Sequence, residues 1–266
     1  MKATVGDIDL YYESHGDGHP LILIRGLGSN ADHWYEQVPV LSKEYRLITF
    51  DNRGVARSGD SGGHFSIMDM ALDTLGLMDA LGIKKAHVMG LSMGGMIAQE
   101  LAINYPERIS RLILACTHCG GPHQVTTSAE TGALFMDMIY IASPEAKMKA
   151  AACLFDSDTL ANRPEVASKY GEISLKHPTD AKLLMRQWEA ALKHDTYERL
   201  PQIKAQTLVL TGAADLLIPP ENARILAEKI PGAIRKVIPG GGHQVLVEQP
   251  EACNEAILQF LRAQGA

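Results

Sequence analysis

The sequence predicts an α/β fold: a mostly parallel, doubly wound sheet with a helical insertion beyond its middle. Three patterns carry that reading. Short, continuous apolar runs of strand length recur at residues 21–24, 47–50, 86–89, 112–115, 207–210 and 234–238. Helical patterns lie between most of them, and between about residues 117 and 203 the strand signal disappears. Unbroken apolar strands alternating with helices are what a parallel sheet buried on both faces requires.

Ala3 to Val5, a Gly6-Asp7 turn and the apolar and aromatic run from Ile8 to Glu13 read as an opening hairpin. Ser66 with Asp69 three residues on is a capping-box-like helix start, and Gly82 closes that helix after Leu81. A second helix runs from Met93 to Tyr105 and ends at Pro106. Pro219-Pro220 opens another that Pro231-Gly232 closes, and Pro250 opens the last, whose Ile257, Phe260 and Leu261 share a face. The strand-free stretch breaks at Ser143-Pro144, Arg163-Pro164 and His177-Pro178. This organisation implies a core of residues 1–116 and 204–266 and a helical cap of residues 117–203. The cap is expected over the edge where the strands end, which is where open α/β sheets bind ligands.

A chain of 266 residues, 46% hydrophobic and 21% charged, can bury one large core. Its net charge of -6, with both signs interspersed, argues against a nucleic-acid partner, which needs a concentrated basic face. No stretch approaches the roughly eighteen apolar residues of a membrane helix. An acid and a turn interrupt the N-terminus before any signal-peptide core could form, so cytoplasmic residence is expected. Cys116, Cys119, Cys153 and Cys253 are too scattered for a disulfide framework.

Gly90-Leu91-Ser92-Met93-Gly94 matches G-x-S-x-G between an apolar strand and a helix, the context that gives the pattern meaning. A serine nucleophile must be lifted clear of the sheet on a strained turn, and flanking glycines remove side chains that would collide there. The same turn aims the Met93 N–H, at the head of the helix, toward a developing oxyanion. Serine also needs a base held in the right tautomer by an acid. His243, in the loose loop Gly240-Gly241-Gly242-His243, is the histidine downstream of the next plausible acid. Asp215, just past the run at 207–210, is that acid, because the rival position after 112–115 is taken by Cys116 and Thr117.

With Ser92, Asp215 and His243 in this order, the chain resembles the α/β-hydrolase superfamily over nearly its whole length. Arg25-Gly26-Leu27-Gly28 resembles the H-G-x-G oxyanion loop, and the run Asp51-Asn52-Arg53-Gly54-Val55-Ala56-Arg57-Ser58 resembles D-x-R-G-x-G-x-S. The loop from Thr211 to Pro219 resembles the family's acid loop, and Gly242-His243 with Glu248 and Pro250 its histidine segment. The resemblance implies that Leu27 supplies a second oxyanion N–H beside Met93. Within the superfamily, the run from Gly26 to Trp34 and the serine turn are most similar to the 3-oxoadipate enol-lactonase and carboxylesterase branch. That implies a small-molecule ester or lactone substrate, an acyl-enzyme intermediate and no cofactor. Serine as nucleophile sets the chain apart from the dehalogenase and epoxide-hydrolase branches, which use aspartate there. Transfer of the acyl group to another acceptor, cofactor-free peroxidation, and a ligand-binding role without catalysis are the alternatives.

Arg25 stands where the family has histidine, and Ala56 where it has glycine. A guanidinium at Arg25 is always charged, so a nearby carboxylate or a substrate anion is expected within its reach. Cys116, His118, Cys119 and His123 are too compressed for paired metal-binding knuckles and lack a thioredoxin-like context, so no metal is expected. Arg186, Trp188 and Phe135-Met136-Asp137-Met138 read as packing within the cap.

Overall fold

The computed structural model describes residues 1–141 and 144–263, with backbone alone at 144, 147 and 148. Its strands are β1 (Lys2–Val5), β2 (Ile8–His15), β3 (His19–Ile24), β4 (Tyr45–Phe50), β5 (Ala86–Leu91), β6 (Ile109–Ala115), β7 (Gln206–Gly212) and β8 (Ile234–Ile238). They form one sheet in the order β1-β2-β4-β3-β5-β6-β7-β8. β2 pairs antiparallel with β1 and β4, and every pair from β4 to β8 is parallel. The sheet is therefore mostly parallel, with the expected hairpin at one end.

The helices are α1 (Val38–Leu41), α2 (Ile67–Ala80), α3 (Met93–Asn104), α4 (Ala129–Tyr140), α5 (Pro144–Leu154), α6 (Ser157–Asn162), α7 (Pro164–Lys176), α8 (Ala181–Leu192), α9 (Glu221–Lys229), α10 (Val245–Glu248) and α11 (Pro250–Arg262). Two-sided burial explains the unbroken apolar strands. Along β3, Ile22 and Ile24 join the core under α2, α3 and α9, while Leu21 and Leu23 join the core under α1, α10 and α11. The Ser66–Asp69 capping box starts α2 as the sequence implies: Asp69 N–H donates to Ser66 Oγ at 3.2 Å and Ser66 N–H to Asp69 Oδ2 at 2.7 Å. No helix among the described residues is long and apolar enough to cross a membrane.

Between β6 and β7 the chain runs through α4 to α8 without adding a strand to the sheet. The helix breaks at Arg163-Pro164 and His177-Pro178 fall at the ends of α6 and α7; α5 begins at Pro144, and Ser143 lies outside the described residues. Ala56 occupies the left-handed region with φ 49°, which explains why a glycine suits that position. A non-glycine residue there costs about 1–2 kcal/mol.

α7 is moored to the core through His33, whose Nε2 lies 3.0 Å from Ser174 Oγ and whose ring packs 4.3 Å from that of Tyr170. Burial, and then the positive charge of Arg25, pull the His33 imidazole down to about 3. Free histidine titrates near 6.5, so below that pH the unfolded chain takes up a proton that the folded one refuses. The contribution of neutral His33 is thus complete above about pH 6.5 and is lost progressively as pH falls toward 3. Thermal melts from pH 7.5 to 4 should show stability falling by up to about 1.4 kcal/mol per pH unit from this group. The slope should be shallower in His33→Gln; an identical slope would assign the acid sensitivity to other groups.

Candidate active site

Ser92 sits at the turn between β5 and α3, with φ 57° and ψ -122°. Such a conformation persists only where the surroundings hold it, and here they do so from both sides. Ser92 N–H donates to Ala115 C=O at 2.9 Å, and Thr117 Oγ1 donates to Ser92 C=O at 2.8 Å. The hydroxyl itself makes no hydrogen bond among the described residues. Gly90 and Gly94 face each other across the turn, where a Cβ on Gly90 would overlap the Gly94 carbonyl.

His243 and Asp215 are both buried and joined by a hydrogen bond of 2.9 Å between Nδ1 and Oδ2. With Nδ1–H donating to the carboxylate, Nε2 keeps the basic lone pair. The other oxygen of Asp215 accepts the N–H groups of Leu217 at 3.0 Å and Ile218 at 2.8 Å, so the carboxylate cannot rotate without losing several bonds at once. The structure therefore brings together the acid and histidine that the sequence singled out. It also places Cys116 beside them: its Sγ, a carboxylate oxygen of Asp215 and a ring nitrogen of His243 lie within 4.8 Å of one another. Burial, then the charge of Asp215, push the Cys116 thiol well above its usual range and keep it neutral.

Two backbone N–H groups beside Ser92 in sequence or space make no hydrogen bond among the described residues. Met93, as the first residue of α3, has no intrahelical acceptor for its N–H. The Leu27 N–H makes no hydrogen bond among the described residues, and the preceding Gly26 lies against the serine: a Cβ there would be 3.0 Å from Ser92 Cβ and 3.5 Å from Oγ. The D-x-R-G-like run holds this loop. Asn52 Nδ2 donates to the Arg25 carbonyl at 3.0 Å, Asp51 accepts the Ala31 N–H at 2.7 Å, and Arg57 clasps both oxygens of Asp51.

One contributor, Gln187, carries no sequence signature. Gln187 on α8 accepts the Gly28 N–H at 2.9 Å, fixing the turn beyond Leu27. Glu248, within the recognised histidine segment, accepts Gly242 N–H at 2.8 Å and Asp156 N–H at 2.7 Å, tying the histidine loop to the α5–α6 junction. Burial nevertheless pushes its carboxyl up. His118 approaches the pair, and burial, then the proximity of His243, lower it to about 4. The four sulfur and imidazole groups between residues 116 and 123 go separate ways: Cys116 turns to Asp215, His118 accepts the Gly120 N–H, Cys119 donates to the Gly120 carbonyl and His123 stacks on Tyr197.

This sheet order, serine turn and buried histidine–acid pair are those of an α/β hydrolase, and the chain belongs to the alpha/beta hydrolase fold family, whose model matches residues 19–250. A protein from Azorhizobium caulinodans named "Putative carbamate hydrolase RutD" is 33% identical over 257 residues, covering 96% of each chain. The crystal structure of the enol-lactonase from Burkholderia xenovorans LB400 superposes with a TM-score of 0.88 at 27% identity, covering 99% of this chain and 100% of that one. A thermophilic esterase from Thermogutta terrifontis, bound to malate, gives 0.84 at 31% identity, with 98% and 97% covered.

Arg25 departs from expectation. It is fully buried, and no carboxylate pairs with it among the described residues. Nη2 donates to Gln244 Oε1 at 3.2 Å and weakly to Tyr170 Oη at 3.4 Å, while Nε and Nη1 have no partner. The guanidinium carbon lies 4.8 Å from the centre of the Trp34 ring and 5.9 Å from that of Tyr170. Aromatic faces and one amide thus stand in for the acid, and the side chain bridges the oxyanion loop, the histidine loop and α7. An unpaired buried charge stabilises little, whereas its volume fills the core. Arg25→Met should therefore melt at or above the parent temperature, and Arg25→Ala should lose about 3 kcal/mol. Equal losses in both variants would show that the polar contacts, rather than the packing, hold this junction.

Proposed function

We propose that this chain hydrolyses a carboxylic ester or lactone through Ser92, His243 and Asp215. The observation that carries the reading is the strained Ser92, held at the head of α3 in a structure whose histidine and acid loops converge in a buried, oriented pair. In the first step Ser92 Oγ bonds to the substrate carbonyl carbon while its proton passes to His243 Nε2. The Leu27 and Met93 N–H groups stabilise the oxygen as it becomes negative. The intermediate collapses, the leaving alkoxide takes the proton from His243, and the acyl group stays on Ser92. Water, deprotonated by His243, then releases the acid and restores the serine. A lactone follows the same path, its leaving group remaining attached to the acyl chain.

In this reading residues 117–203 act as the cap and residues 1–116 and 204–266 as the hydrolase core. Support comes from α8 and the α5–α6 junction, which reach the oxyanion and histidine loops through Gln187 and Asp156. The 33% identity to a protein named carbamate hydrolase favours a second substrate for the same machinery, a carbamate, whose carbonyl is attacked in the same way.

Ser92→Ala and His243→Ala should each lower kcat on a short p-nitrophenyl ester by about a thousandfold or more, with little change in melting temperature. Asp215→Asn should cost somewhat less. A fluorophosphonate probe should label the parent at Ser92. Parent-level turnover by Ser92→Ala would remove Ser92 as nucleophile, and a panel of esters, lactones and carbamates ranks the substrates.

A further inference from the structure

The insertion carries an apolar cluster that side chains from two core loops join. Phe135, Ile139, Ala150, Cys153 and Leu184 form a buried cluster drawn from α4, α5 and α8. Around it lie half-buried apolar side chains, among them Leu134, Met138, Met185 and Trp188 from the insertion. Two further members come from the core loops: Leu27, whose N–H faces the oxyanion position in the reading above, and Leu217, whose own N–H binds Asp215.

The placement of this wall is fixed at three points. α8 sits on the oxyanion loop, with Gln187 holding the Gly28 N–H and Leu184 packed against Gly28. Leu154, at the end of α5, accepts the Gln244 N–H at 2.9 Å beside His243. Thr127, just before α4, donates to the Leu216 carbonyl at 2.7 Å, beside the acid loop. The cluster is therefore tied to the oxyanion loop, the histidine loop and the acid loop.

Three side chains that could bring positive charge to that wall are already committed or neutral. Arg25 is enclosed by Trp34, Tyr170 and Gln244 with 0% of its surface exposed. Arg186 is committed to Asp60 and to the Gly63 carbonyl. His118 is held neutral by its burial. A substrate carboxylate pressed against thioether, indole and leucine side chains would lose its hydration and gain no partner, which costs several kcal/mol.

From this arrangement, and resting on the reading of Ser92 as nucleophile, we propose that the insertion is an acyl-binding wall that selects uncharged, aliphatic acyl groups and rejects substrates whose acyl part carries a carboxylate. Half-buried methionines suit such a role because an unbranched thioether side chain adapts to chains of different length.

Two measurements test this. Across p-nitrophenyl esters from acetate to hexanoate, kcat/KM should rise about three- to fourfold per methylene, about 80- to 250-fold in all. Mono-p-nitrophenyl succinate should react at least a hundredfold more slowly than the butanoate ester. Met185→Lys, which adds a cation to the wall, should narrow that gap and flatten the chain-length series. A flat series in the parent, or equal rates for the succinyl and butanoyl esters, would overturn the proposal.

Binding is read separately through Trp188, since Trp34 is fully buried, with Trp188→Phe as the blank. Titration with 1-octanol should shift the indole emission, and octanoate at the same concentration should not. If no ester turns over and Ser92 resists fluorophosphonate, the catalytic reading fails while the octanol titration still decides the wall. An equal response to octanol and octanoate, or none to either, overturns the wall even in an active hydrolase.

Discussion

The left-handed backbone at Ser92 is the constraint on which the surrounding structure converges. A φ of 57° at a serine is unfavourable in isolation, and its hydroxyl makes no hydrogen bond among the described residues that would offset it. The offset comes from the neighbouring strand end, where Ala115 accepts the serine N–H and Thr117 donates to its carbonyl. That same segment continues into Cys116, itself left-handed at φ 43°, with its thiol against Asp215 and its N–H on the Leu210 carbonyl of β7. Three successive residues at the end of β6, Ala115 to Thr117, thus hold the serine turn on one side and reach the acid loop on the other. The serine turn and the acid loop are thereby coupled through the end of one strand.

How much of this can be read from the amino-acid order varies with the range of the forces involved. Central strands are legible because burial on both faces writes itself as an unbroken apolar run, as in Leu21-Ile22-Leu23-Ile24. The start of α2 is legible because a capping box is local chemistry between residues three apart. The paired Asp215 and His243 are legible because one follows a strand and the other sits in a glycine-rich loop after the next strand. Gln187 is not: nothing near it in sequence marks an amide that will meet Gly28 from a helix some 160 positions away. The helices between β6 and β7 announce themselves by absent strands and by prolines, but which of their apolar side chains face the site depends on docking that no local pattern records.

Arg25 shows the same limit in electrostatics. A residue type and a buried position lead to an expected carboxylate, yet the guanidinium settles between two aromatic rings and an amide with two of its nitrogens unpartnered. Its charge still acts at a distance, since it helps keep His33 neutral on the neighbouring turn. One cation in place of the family histidine therefore alters the titration of a different histidine at the seam between core and insertion.

Glu248 illustrates how strict donor and acceptor counting becomes when a polar group is sealed from water. Its two oxygens each receive one backbone N–H, from Gly242 and from Asp156. A glutamine of the same shape would present one oxygen and one NH2 group to two donors, so a hydrogen would meet a hydrogen whichever way the amide flipped. Valence, rather than size or polarity, makes this position intolerant of its nearest isostere, and the histidine loop inherits that intolerance.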